Sequence, residues 1–259
     1  MKKDTVRQAV NVVALLATIG INGLANVLPL NGQSTGEISD RFDVYFVPAG
    51  YVFSIWGLIY LALAAFVIYQ ALPGQQDNPR LRRIGYLFAL SCAANVAWLF
   101  LWHYEVFPLT IVAMVALLIL LIAIYLRQGI GRTQVPTAEK LLVRVPFSIY
   151  LGWITVATIA NASSLLDYLN WGGWGISPET WAVIMLVTAT AVTSGVALTR
   201  GDIAFALVIV WAVAGIAVKQ ASAPIVSTTA WIVTVIVALV MVLGAWLNRR
   251  DKPSSAHTG

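Results

Sequence analysis

The stretch Val47-Pro-Ala-Gly-Tyr51-Val-Phe-Ser-Ile-Trp56-Gly-Leu-Ile-Tyr60-Leu-Ala-Leu-Ala-Ala-Phe-Val-Ile-Tyr-Gln-Ala71 runs for 25 residues without a charge. At 1.5 Å per residue, a helix of this length crosses the ~30 Å hydrocarbon core of a bilayer. Trp56 then falls near the midplane. Tryptophan ordinarily gathers at the membrane–water interface, because its ring is apolar while its N–H wants a partner. A midplane Trp is therefore expected to face other helices or a cavity. Trp153 and Trp211 sit just as centrally in two other apolar runs.

Seven further apolar runs surround this one. The candidate helices span 9–30, 47–71, 83–103, 107–127, 144–166, 179–198, 203–219 and 225–247. The chain of 259 residues is 59% hydrophobic and only 10% charged, against about 25% charged in soluble domains. This predicts an all-α polytopic membrane protein of about eight transmembrane helices. Lys2, Lys3 and Arg7 give the first run a signal-peptide-like start. It continues to Leu30 without an A-x-A site, so it reads as a retained helix. Pro73, Pro79, Pro108 and Pro178 mark boundaries, and Ser177 is the expected N-cap of the sixth helix.

Charge orders the loops. With the N-terminus inside, fourteen of the sixteen Lys and Arg residues fall in inner segments; only Arg41 and Lys219 lie outside. The eleven acids divide six outside and five inside. Eight spans then put both termini in the cytoplasm of a cell whose inner (plasma) membrane holds the chain. Residues 31–46 form a long acidic outer loop, expected to be a lid or hairpin. The outer segment from Asp167 to Pro178, with Trp171 and Trp174, reads as an interfacial anchor.

Charge at a helix centre is expensive and usually functional, and none of these spans has one. Proton pumps, voltage sensors and cation transporters are disfavoured accordingly. The net charge of +5 is segregated on one side and implies no nucleic acid. Cys92 is alone and reads as a small core residue. His103 beside Tyr104 and Glu105 reads as a solvated interfacial histidine rather than a haem or metal ligand. Lys219 lies at a helix end with no acid in any span to act as counter-ion, which argues against a retinal Schiff base.

Neutral polar and aromatic residues share faces instead. Phe53, Trp56 and Tyr60 recur at helical spacing, as do Asn95, Trp98 and Trp102, and Tyr150, Trp153, Ala157 and Asn161. One reading is helix–helix glue, with Asn bonding a neighbour and aromatics filling the core. The other is a cavity with aromatic walls and a few polar groups, suited to a flat conjugated ligand. Spacing leaves both open.

The segment Phe46–Tyr60 resembles the second-helix signature of the translocator-protein or tryptophan-rich sensory protein (TspO/MBR) family. Asn95-Val-Ala-Trp98 is similar to that family's Asn-x-x-Trp element. Tyr150–Asn161 is similar to its Tyr-x-x-Trp-x-x-x-Ala-Thr-x-x-Asn element. The resemblance covers residues 9–166. It implies a five-helix bundle that binds tetrapyrroles and, in some members, sterols. The site would lie among the first, second, third and fifth helices, under the first outer loop. Tyr51, Trp56, Asn95, Trp98, Trp153 and Asn161 carry over best; Tyr60, Trp102 and Tyr150 join them as members of the same stripes. Ser54 stands where a proline is common, and Pro146 lies further from Trp153 than in the family pattern. No Lys or Arg closely follows Tyr168, and three extra helices follow the bundle.

The expected organisation is a TspO-like bundle over 1–170, three additional helices over 171–248 and a disordered cytoplasmic tail over 249–259. The expected role is binding of a hydrophobic aromatic ligand such as a porphyrin, as sensor, carrier or scavenger. A porphyrin or haem-like molecule is the anticipated ligand, with no obligatory cofactor or metal. Membrane lipids are the surrounding partner, and a homodimer is compatible with the sequence. The competing expectations are a transporter or lipid-handling protein of another class, and a porphyrin-degrading enzyme; lack of an acid–base pair leans against the last.

Overall fold

A computed structural model describes residues 2–28 and 30–250. Among these the chain forms ten helices and no strand. They are α1 (Lys2–Val27), α2 (Thr35–Asp40), α3 (Ile55–Ala71), α4 (Pro79–Ile84), α5 (Leu87–His103), α6 (Phe107–Arg127), α7 (Thr137–Tyr168), α8 (Pro178–Arg200), α9 (Ile203–Lys219) and α10 (Pro224–Arg250).

All but α2 and α4 are apolar and run alternately between two ends of the molecule. At the basic end, Arg82 of α4 donates to Asp4 of α1 at 2.9 and 2.8 Å, and Arg200 donates to the Ile130 carbonyl at 3.0 Å. At the other end, Arg41 pairs with Glu105 at 2.9 Å and Lys219 with Asp40 at 2.5 Å. Six spans are long and apolar enough to cross a membrane. α5 and α9 have 17 residues each, about 25 Å of helix and short of the ~30 Å core. The chain is thus a polytopic helical membrane protein with six candidate spans among the described residues and two shorter apolar helices, α5 and α9.

Packing follows from which faces are apolar and which residues are small. α1 packs on α3 and α5, α5 on α6, α6 on α7, and α7 closes back on α3. α8, α9 and α10 pack on one another, and α9 alone among them lies along α7. A buried polar lock ties the two groups at the basic end. Asp202 caps α9 by accepting from Phe205 N at 3.1 Å, while its other oxygen accepts from Tyr125 Oη of α6 at 2.9 Å and Ser148 Oγ of α7 at 2.6 Å. A carboxylate is tolerated there because every lone-pair direction it uses meets a donor.

Several helix bounds differ from those the sequence predicts. The second span does not begin as α-helix at Val47. Residues Gly50–Ser54 form a 3-10 turn, and the helix proper starts at Ile55. Pro48 supplies no N–H, and irregular backbone at membrane depth is stable only when protein groups satisfy it. α9 does this: Ala49 N donates to the Gly215 carbonyl at 3.1 Å, and Trp211 Nε1 donates to the Val52 carbonyl at 3.2 Å. Trp211 and Gly215 are four apart and so share a face. Trp211 therefore packs on the bundle from the added helices, edge-on to Tyr51 at 5.4 Å.

The third span is broken rather than continuous from residue 83. Gly85 takes φ +57° and ψ −128°, which ends α4 and turns the chain into α5. The fifth span begins at Thr137, not 144, because Lys140–Arg144 forms a π-helical turn that carries the helix across Pro146. Proline there withdraws one intrahelical donor, and the wider turn absorbs the misfit. α10 continues to Arg250; the remainder of the expected tail, 251–259, lies outside the described residues.

Candidate functional site

Helical spacing places Trp98 and Trp102 one turn apart on α5, and their rings stack at 5.6 Å. Trp56 stacks on Tyr60 at 5.5 Å and meets Trp153 edge-on at 6.2 Å, while Phe53 meets Trp153 edge-on at 5.8 Å. Such pairs contribute about 0.5–1.5 kcal/mol each beyond their burial. The two groups of rings face each other across a cavity with no charged lining residue. Trp56, Trp98, Trp102, Trp153 and Asn161 line it, from α3, α5 and α7. α2 closes it at the acidic end, through Thr35 and Ser39. Its volume is about 50 Å³, well below the ~300–1,000 Å³ of a small-molecule pocket. A larger molecule therefore needs the rings to part.

The two asparagines serve different ends. Asn95 is 1% exposed and accepts from Asn22 Nδ2 at 3.0 Å while donating to Tyr150 Oη at 3.2 Å. It joins α1, α5 and α7 and does not border the cavity. Asn161 accepts from Trp98 Nε1 at 3.3 Å and donates to Thr110 Oγ1 at 2.9 Å. That sets the edge of Trp98 against the cavity wall. Trp153 Nε1 and Tyr60 Oη are buried and meet no acceptor or donor among the described residues. Leaving such a group unpaired costs about 1–3 kcal/mol, so each is a free hydrogen-bonding position beside the aromatic walls.

The nine residues singled out in the sequence are thus only partly gathered. Five line the cavity; Tyr60 and Tyr150 stand behind Trp56, Tyr150 with its ring 6.0 Å away. Asn95 lies in the helix-joining network, and Tyr51 is 50% exposed against Trp211. Sequence reasoning did not place Met114, Ala160 or Ser164 at the cavity. The last two continue the Trp153 and Ala157 face of α7 at helical spacing, so that signal was present. Thr35 and Ser39 carried none.

The lid is a built element. Ser34 and Glu37 form a capping box at the start of α2, with Glu37 Oε2 accepting from Ser34 N at 2.7 Å. Ile38 is fully buried and plugs the lid into the core. His103 corrects the sequence reading, which made it solvated. It is fully buried, with Nδ1 3.1 Å from the Leu30 carbonyl and Nε2 3.0 Å from Thr35 Oγ1. A carbonyl can only accept, so Nδ1 carries a proton, while the threonine hydroxyl can serve Nε2 as donor or acceptor. Asn31 Nδ2 donates to the His103 carbonyl at 3.0 Å and Trp102 Nε1 to the Thr35 carbonyl at 3.2 Å. The histidine is buried because α5 ends beneath the lid, which its position beside Tyr104 and Glu105 did not reveal.

The capping box has a pH signature. Hydrogen bonds from the Ser34 backbone and side chain hold the Glu37 carboxyl below its ordinary range. A depressed folded value means the stabilisation is present above the unfolded value and is lost as pH falls through the folded one. Protection of the Thr35–Asp40 amides, relative to intrinsic exchange at each pH, is expected to fall as pH drops below the ordinary glutamate value of 4.5. Glu37→Gln should flatten that dependence when followed by hydrogen–deuterium exchange mass spectrometry.

A family model described as "TSPO-like protein" matches residues 8–243. The match runs through the five-helix group and on through α8, α9 and most of α10. No curated protein matches the chain, and no solved structure does.

Proposed function

The chain belongs to the TSPO-like family, and from that premise we propose that it reversibly binds a flat, hydrophobic aromatic ligand of the tetrapyrrole class. The observation that carries this reading is the aromatic cavity. Trp56 and Trp153 face Trp98 and Trp102 across an uncharged space, under a lid, with the Trp153 N–H unpaired. Aromatic walls favour a conjugated ring by stacking, and the free N–H favours a ligand with an acceptor on its edge. Binding of this kind underlies a sensor, a carrier or a scavenger alike. The segregation of basic residues supports an inner-membrane location with the basic end and both termini in the cytoplasm. The lid then faces the outer compartment.

The test is titration of the protein in lipid nanodiscs with protoporphyrin IX, read by tryptophan quenching. Saturable quenching is expected. Trp153→Phe keeps the ring but removes the N–H, and should weaken binding about tenfold, the value of one hydrogen bond of ~1.4 kcal/mol. Quenching that rises linearly and identically in both proteins would refute the reading.

A further inference from the structure

The lid is held from two sides, and the two sides differ in kind. Its first half is fastened to α5 by uncharged bonds from two buried side chains: His103 to Leu30 and Thr35, and Trp102 to the Thr35 carbonyl. Its second half is fastened to the added helices, beside one exposed ion pair from Arg41 to Glu105 just beyond α5. Lys219 of α9 pairs with Asp40 at 2.5 Å, and Gln220 Nε2 donates to the Tyr45 carbonyl at 3.1 Å. Tyr45 Oη donates to Glu179 of α8 at 3.0 Å.

The ion pair among these second contacts is open to solvent. The Lys219 and Asp40 side chains are 28% and 62% exposed, and water and salt weaken an ion pair at such a site. His103 and Trp102 on the α5 side, 0% and 3% exposed, face less of that competition. The cavity is too small for a ring system as it stands, and the lid that covers it releases first on the side whose bonding side chains are more exposed. That side is α8 and α9.

We infer that α8 and α9 form the latch of the lid: Lys219, Gln220 and Glu179 are positioning residues that set how often the cavity opens, while α5 acts as its hinge. The ligand part of this inference rests on the binding reading above; the latch itself does not. Breaking the latch raises the open fraction. It therefore speeds both entry and escape of a ligand and changes affinity little, since the cavity walls remain intact.

The experiment uses the full chain in nanodiscs and the triple variant Tyr45→Phe, Lys219→Gln, Gln220→Leu. Hydrogen–deuterium exchange of residues 34–45 should accelerate at least about fivefold, with exchange in α5 and α7 unchanged. Association and dissociation of protoporphyrin IX, followed by stopped-flow quenching, should both quicken by a similar factor. Because loss of any surface contact could loosen a loop, a charge swap supplies the control. Lys219→Asp alone should open the lid, and adding Asp40→Lys should close it again. Lid exchange that is unchanged in the triple variant but faster in His103→Leu would overturn the latch, because α5 alone would then hold the lid. A lid that opens in the variant while porphyrin binds neither protein would sustain the latch and sink the ligand assignment.

Discussion

Asp202→Ala is expected to destabilise the protein by about 3–5 kcal/mol, the summed cost of two buried hydroxyls left without an acceptor and a lost helix cap. The substitution strands Tyr125 Oη and Ser148 Oγ, which now donate to one carboxylate oxygen, and uncaps α9 by freeing Phe205 N. Loss of the cap alone costs about 1 kcal/mol. Asp202→Asn should be much milder. Its amide oxygen can still accept from Phe205 N, and both hydroxyls can turn to accept from the amide N–H groups. Thermal unfolding of purified protein, followed by tryptophan fluorescence, should rank the three proteins wild type, Asn, then Ala. Equal melting temperatures for wild type and Ala would mean that the lock is not what joins α9 to α6 and α7.

Gly215→Ala is expected to be the second large effect, although it adds one methyl group. A Cβ at this position would lie 2.2 Å from Val52 Cγ2 and 3.3 Å from Pro48 Cβ. Val52 is fully buried and β-branched, so its methyl has little freedom to turn away. α9 must then back off from the 3-10 turn, stretching the bonds from Ala49 to the Gly215 carbonyl and from Trp211 to the Val52 carbonyl. Overpacking of this kind costs about 1–3 kcal/mol, and the upper end is expected, since membrane-depth backbone loses its partners as well. The double variant Gly215→Ala, Val52→Ala provides the check. Val52 Cβ would sit 3.4 Å from the new Cβ, an ordinary contact. Its melting temperature should recover part of the loss, a non-additivity that a general helix-propensity effect would not produce.

Individual residues show how far the sequence could be read. Trp98, Asn161 and Trp153 were legible as cavity or core residues because helical spacing alone sets which side chains share a face. Spacing could not separate Asn95 from Asn161. Both lie on aromatic stripes, yet one joins three helices and the other fixes Trp98 at the cavity. That difference depends on the rotation of each helix against its neighbours. His103 was misread because its surroundings in sequence are polar, whereas its surroundings in space are the underside of the lid. Trp211 gave no sign of its partner, a carbonyl 159 positions earlier.

The sequence by itself determined that the chain resides in a membrane, which runs become helices, and that these alternate in direction. Those properties belong to single segments: the length of an apolar run, and the charges at its ends. Only the tertiary structure decided that the cavity is narrow and what covers it. The bonds across the lid join residues 68, 134, 175 and 179 positions apart. Such contacts arise from how finished helices dock, so no local pattern of residues encodes them.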